Sequence, residues 1–159
     1  MANISIEQAR AGIAPAFEEM KEAIKVETEN AATVGLKNIR ERIQEDGKDS
    51  TGQAWKPYTQ KYRDFKIKTK GAKYASGLVD FTLNAQMWPS IGIVESKISD
   101  TLAVVVVSGR DTDTNLKLEG NEKKRPGILK MSAKEIEIAE EDFQIEIEKK
   151  IEQIMIEYR

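Results

Sequence analysis

From Ser132 onward the chain sets Ile136, Ala139, Phe143, Ile147, Ile151, Ile154 and Tyr158 three or four residues apart, the spacing of one face of a long helix. Ile138, Ile145 and Met155 are read as widening that face. Ser132 and Glu135 make a Ser-x-x-Glu capping box, which fixes where the helix begins. A second pattern of this kind opens the chain, with Ile13, Phe17, Met20 and Ile24 followed by Leu36, Ile39 and Ile43. One helix over residues 4–45 would run roughly 50 to 60 Å, so either Gly35 breaks it or it projects. Pro15 is expected to mark where the regular helix starts, with Gly12 to Ala14 as a looser lead-in. The middle, Glu27 to Thr33, is poor in large apolar residues and should make thin contacts.

Between these helices the pattern changes. Asp46, Gly47, Asp49, Ser50 and Gly52 stop the first helix in a loop. Thr59 is a predicted N-cap for a short basic helix through Phe65 or beyond, and Lys66 to Ala75 is expected to be a mobile basic loop. Val79 to Met87 reads as a short helical turn leading into a strand over Ser90 to Glu95. Lys97 to Asp100 makes a turn, and Thr101 to Ser108 (TLAVVVVS) is a strand apolar enough to sit centrally in a sheet. The two strands are close enough to form an antiparallel hairpin. Gly109 to Gly127 is polar, with Asp, Asn, Gly and Pro126, and is expected to be a long loop ordered by a partner. The predicted fold is α+β: one domain over residues 1–159, with a small antiparallel sheet flanked by a long N-terminal and a long C-terminal helix, and with long partner-ordered loops. Residues 1–35 are read as a helical extension of a domain over 36–159.

The chain has no cysteine and no histidine. That excludes thiolate zinc sites, disulfides, Ser-His and Cys-His catalytic pairs and ordinary zinc hydrolase centres. The expectation is a protein that is not an enzyme and takes no cofactor or metal. Net charge is only -2, yet 33% of residues are charged and the signs are segregated along the sequence, a pattern suited to surfaces that meet other surfaces. No apolar run is long enough to cross a bilayer, and Met1 to Arg10 lacks the basic start and apolar middle of a signal peptide, so a soluble, intracellularly made protein is expected.

Residues 56–74 interleave Lys56, Lys61, Arg63, Lys66, Lys68, Lys70 and Lys73 with Tyr58, Tyr62, Phe65 and Tyr74. Such a run could bind nucleic acid by phosphate contact and stacking, although it contains no base-reading motif. The favoured alternative is docking on a neighbouring copy. The last helix supplies the opposite charge in Glu135, Glu137, Glu140, Glu141, Asp142, Glu146 and Glu148. Asp111, Asp113 and Asn115 alternate like the start of a calcium loop. The glycine and bidentate glutamate that such a loop needs are not at the right offsets, so a solvated turn is expected.

Gly52-Gln53-Ala54-Trp55-Lys56-Pro57-Tyr58-Thr59 resembles the G-x-x-W-x-P-x-[ST] signature of the tailed-phage virion-morphogenesis and tail-completion proteins. Asp80 to Met87, followed by Ser90-Ile91, stands where that family has D-L-T-x-T-G-x-M and Ser-Ile, with Asn84-Ala85 replacing the usual Thr-Gly. Gly120-Asn121-Glu122 and Arg125-Pro126-Gly127-Ile128-Leu129 before Ser132 resemble the family's R-P-x-x-L-x-x-S-x-x-E entry to its last helix. The matches run from about Ile39 to the C-terminus. The resemblance implies a structural subunit of a homo-oligomeric ring at the neck or tail top of a virion, assembled in the host cytoplasm. Such a ring joins portal and neck proteins to tail proteins and lets DNA pass through its lumen without specific binding. On that reading Trp55 and Pro57 anchor the central loop, and Lys61, Arg63, Lys66, Lys68, Lys70, Lys73 and Arg125 face a neighbouring subunit or ring.

Overall fold

The computed structural model describes residues 6–70, 79, 87–99 and 102–158. Helix α1 spans Ile6–Glu41, α2 Gln60–Lys70, α3 Thr112–Glu122 and α4 Ala133–Glu157. Strands β1 (Ile91–Ile98) and β2 (Ala103–Gly109) pair antiparallel, so a small sheet lies between a long first and a long last helix.

α1 does not break. Gly35 is buried inside it because the Met131 side chain crosses there: a β-carbon at Gly35 would stand 2.7 Å from Met131 Cε. Pro15 also lies within α1 rather than at its start, with Gly12 to Ala14 helical. Residues 12–15 are exposed, so the pyrrolidine ring of Pro15 lies on the solvent side and displaces no core contact. The middle of α1 is held by local polar contacts. Glu27 is buried and accepts from Asn30 Nδ2 at 2.9 Å, and the Thr28 hydroxyl donates to the Ile24 carbonyl at 2.6 Å.

The helix ends through a wide turn over Arg42–Asp46 that stops at Gly47, whose φ of 63° is left-handed. The Gly47 N–H donates to the Ile43 carbonyl at 3.2 Å. The chain then folds back on itself. Lys48 bridges to Ala54, and the Trp55 N–H donates to the Gly47 carbonyl at 3.0 Å. Asp49 holds the tip, accepting from the Thr51 hydroxyl at 2.7 Å, the Thr51 N–H at 2.8 Å and the Gln53 N–H at 3.1 Å. These bonds, that from the Thr51 hydroxyl first, keep its carboxyl below the ordinary aspartate range.

α1 and α4 run antiparallel. Arg42, just past the end of α1, meets Glu135 at the start of α4. At the far end Glu19 lies beside Tyr158, whose hydroxyl is pushed up by burial first and then by that carboxylate. With 36 residues against 25, α1 is longer by ~16 Å. Its first turns therefore run past the end of α4, leaving Ile13 and Phe17 more than half exposed. The facing stripe of α4 buries Ala139, Ile147 and Ile154. Ile138 and Ile145 do not widen that stripe. At 100° per residue they fall on the opposite side of the helix, and both are exposed.

The core gathers Ile39 and Ile43 of α1, Val79, Met87, Trp88, Ile91, Leu118 and Ile128, with Leu36, Trp55, Tyr58, Val107, Leu129 and Met131 packed around it. β2 is not a central strand, since the sheet among the described residues has only two. Its alternation puts Ala103, Val105 and Val107 on one face and the exposed Val104 and Val106 on the other. Val94 bulges out of β1 where the register shifts between Ile93 and Glu95, and Glu95 pairs with Lys97 on the outer face.

Gly109 to Gly127 is not a long loop; most of it is α3. Asp111 caps the helix, accepting from the Thr114 N–H at 2.7 Å and the Thr114 hydroxyl at 2.9 Å, bonds that lower its pKa. Asn115 clamps the helix to β2, with Oδ1 accepting from Ser108 and from the Gly109 N–H and Nδ2 donating to the Gly109 carbonyl. A β-carbon on Gly109 would lie 2.9 Å from the Asn115 backbone nitrogen. Gly109→Ala should therefore destabilise by about 1–3 kcal/mol, read as a lower denaturant midpoint with an unchanged slope.

Candidate functional site

The first and third segments that carry the resemblance, and the described end of the second at Met87 and Ser90-Ile91, come together in the fold. The Gly52 to Thr59 loop, the Met87 to Ile91 turn and the Arg125 to Leu129 turn all contribute to the one core, through Trp55, Tyr58, Met87, Trp88, Ile91, Ile128 and Leu129. Trp55 is half-buried against that core, whereas Pro57 is exposed at the rim of the groove described below. The more deeply buried tryptophan is Trp88, 5% exposed, in the short turn Trp88–Ser90 that feeds β1. The sequence gives no periodicity at this turn, and the Trp-Pro pair was the only available sign of it. Asn84-Ala85 and the rest of 80–86, like Lys73, lie outside the described residues.

Glu122 closes the third segment. Its carboxylate accepts from the Gly127 N–H at 2.6 Å and the Ile128 N–H at 3.0 Å, so the turn through Pro126 is bonded back to the end of α3. Arg125 Nη2 donates to the Lys56 carbonyl at 3.5 Å and joins this turn to the tryptophan loop. Asn121 Nδ2 lies 3.9 Å from Met87 Sδ, donating toward the sulfur.

Together these segments form a groove of ≈ 1040 Å³, lined by Trp55, Lys56, Tyr58, Tyr62, Lys117, Asn121, Lys124 and Arg125 among others. Its chemistry is cationic and aromatic, but the aromatic part is already engaged within the chain. Tyr58 has Lys66 Nζ 5.1 Å and Arg125 Cζ 5.3 Å from its ring centroid, and Tyr62 stacks at 4.8 Å with a 56° tilt. Lys117 pairs with Asp113 inside α3. Lys66 is only 1% exposed. Its expected place in a mobile, partner-facing loop is therefore wrong: α2 continues through Lys70, and the Lys66 stem packs inward with its ammonium beside the Tyr58 ring.

The remaining cations differ in position. Lys61 and Lys68 are exposed on α2, and Arg63 and Arg125 are half-buried. Of the carboxylates expected to face a neighbour, Glu135 does not. It is buried, and it accepts from Arg42 Nε at 2.8 Å and from the Ser132 N–H at 2.6 Å. Ser132 in turn accepts from the Glu135 N–H, so the capping box read from the sequence is formed. Arg42 also donates to the Lys48 carbonyl at 2.7 Å and the Lys130 carbonyl at 3.0 Å. Burial pushes the Glu135 carboxyl up, but the Arg42 and Ser132 bonds outweigh it and the net direction is down.

Among the described residues no group of three or more carboxylates gathers to hold a metal ion, and no helix is long and apolar enough to cross a membrane. No family model, curated protein or solved structure matches the chain.

Proposed function

We propose that this chain is a non-catalytic structural subunit of a ring at the neck or tail top of a tailed-phage virion, joining the portal side to the tail around a DNA-conducting lumen. The observation that carries this reading is the meeting in one core of the tryptophan loop, the Met87 and Ile91 positions and the Arg125 turn, distant in sequence, with Arg125 bonding the last to the first. Exposed charge of both signs on α2 and α4 supplies surfaces for neighbours. Two experiments test the reading. Cryo-electron microscopy of virions carrying a tagged copy should place density at the head-tail junction, and loss of the protein should leave filled heads and separate tails. Tag density on the capsid shell or tail fibres, or joined particles without the protein, would overturn it.

The groove supports a second reading, a nucleic-acid-binding accessory protein using residues 56–74, since Lys56, Lys124 and Arg125 border aromatic rings there. It ranks second because Tyr58 is flanked by the chain's own cations and Lys66 is buried, which leaves little ring surface for a base. The isolated protein should give no mobility shift with single-stranded or duplex DNA at physiological salt. A salt-sensitive shift would reverse the ranking.

A further inference from the structure

We propose that copies of this chain join head to tail, α2 of one copy lying along the outer face of α4 of the next. The inference rests on the ring reading and names the contact that would build the ring.

α4 has two apolar faces. One is buried on α1; the other carries Ile138, Ile145 and Ile156, which are 39%, 47% and 66% exposed. A surface helix covered on one side needs only one apolar stripe, so the second is surplus to the isolated chain. Around it α4 exposes seven carboxylates against three lysines, and one of those lysines, Lys149, is bonded to Glu146 at 2.6 Å.

α2 presents the opposite chemistry. Lys61, Phe65 and Lys68 stand at i, i+4 and i+7 on one face, and all three are exposed, Phe65 by 51%. The only acid in α2, Asp64, is bonded to Gln60 at 2.7 Å. Phe65 is steadied by Tyr62, with centroids 6.2 Å apart.

The two patterns match residue for residue. Glu141, Ile145 and Glu148 also stand at i, i+4 and i+7 on one face, and all three are exposed. Laid side by side in the same direction, the helices put Lys61 against Glu141, Phe65 against Ile145 and Lys68 against Glu148, each end pair separated by ~10.5 Å along its helix. Each copy carries both halves of the contact on different helices. With α2 engaged on one neighbour and α4 on the other, the contact is heterologous and propagates from copy to copy until a ring closes or a filament forms. Opposite charge at matched spacing favours a second copy of this chain over a membrane or nucleic acid, which would answer only the basic half.

The test is sedimentation velocity on four full-length proteins from about 1 μM to about 1 mM. The wild type should associate into species larger than dimers. K61E/K68E and E141K/E148K should each weaken association at least ~100-fold. In an equimolar mixture of these two variants every contact between unlike copies pairs opposite charges, α2 lysines of one on α4 glutamates of the other and the exchanged pair in reverse, so the mixture should recover alternating species larger than dimers although neither variant assembles by itself. The quadruple variant, with both signs exchanged, should recover assembly. All four substituted residues are exposed, so circular dichroism and thermal midpoints should stay near wild type. Assembly of the double variants as strongly as the wild type would overturn the contact while leaving the ring reading intact. A wild type monomeric over the whole range would overturn the contact, and virion imaging would then decide the ring reading by itself.

Discussion

Arg42→Ala should lower the unfolding free energy by about 3–5 kcal/mol, because it leaves the Glu135 carboxylate buried with its main partner removed. The two side chains are 11% and 8% exposed, so solvent screens the pair only weakly. The same change frees the Lys48 and Lys130 carbonyls. Glu135→Ala should also be destabilising, since it removes the carboxylate partner of the Arg42 guanidinium, which keeps only its two carbonyl acceptors, and removes half of the α4 capping box. Replacing both together should cost clearly less than the two single changes added, the mark of two groups acting on each other. Urea titration at neutral pH measures all three.

The pair also ties stability to pH. The folded Glu135 carboxyl titrates below its ordinary value of 4.5, so the unfolded chain binds its proton more readily than the folded one. Its contribution is fully present above the unfolded pKa and is lost as pH falls through the folded one. Stability should decline as the medium is acidified below about pH 4.5, and Glu135→Gln should flatten that part of the decline. An identical acid profile in the two proteins would remove Glu135 from the account.

Trp88→Ala should be the costliest change in the core, at about 3–5 kcal/mol, because the indole is the largest side chain buried there, 5% exposed. Trp55→Ala should cost less, about 1–3 kcal/mol, since that ring is half-buried and already meets solvent. The ordering can be read from thermal midpoints alone. Equal losses would mean that the tryptophan loop is packed as deeply as the turn before β1. The loop reading built on Trp55 would then be a statement about the core itself.

Sequence patterns sufficed for α4, because seven residues at three-and-four spacing and a capping box leave one solution. They sufficed for the pairing of the hairpin, where a β-branched run marks β2, but not for its turn: Lys97 and Ile98, expected in the turn, belong to β1, and the chain reverses after Ser99, whose N–H donates to the Leu102 carbonyl. They failed on α3 because little in TDTNLKLEGNE is periodic. That helix exists through Asp111, Thr114 and Asn115, short polar side chains that read equally well as a turn. Lys66 was misplaced for a related reason. A lysine among lysines looks solvated, and only the position of Tyr58 in space shows where its stem goes. The second face of α4 is present in the sequence as Ile138 and Ile145, but their 100° steps from the buried stripe turn them away from α1, where they are exposed.

Arg42 accounts for more than stability. Its three acceptors belong to the Gly47 to Trp55 loop, to the strand of chain leaving the Arg125 turn, and to the head of α4, while its backbone continues α1. A pull on either loop is therefore shared at once with the other and with both long helices. From there α1 continues unbroken for ~54 Å to its far end, so the two loops and the head of α4 hang on one shared anchor rather than on three independent ones.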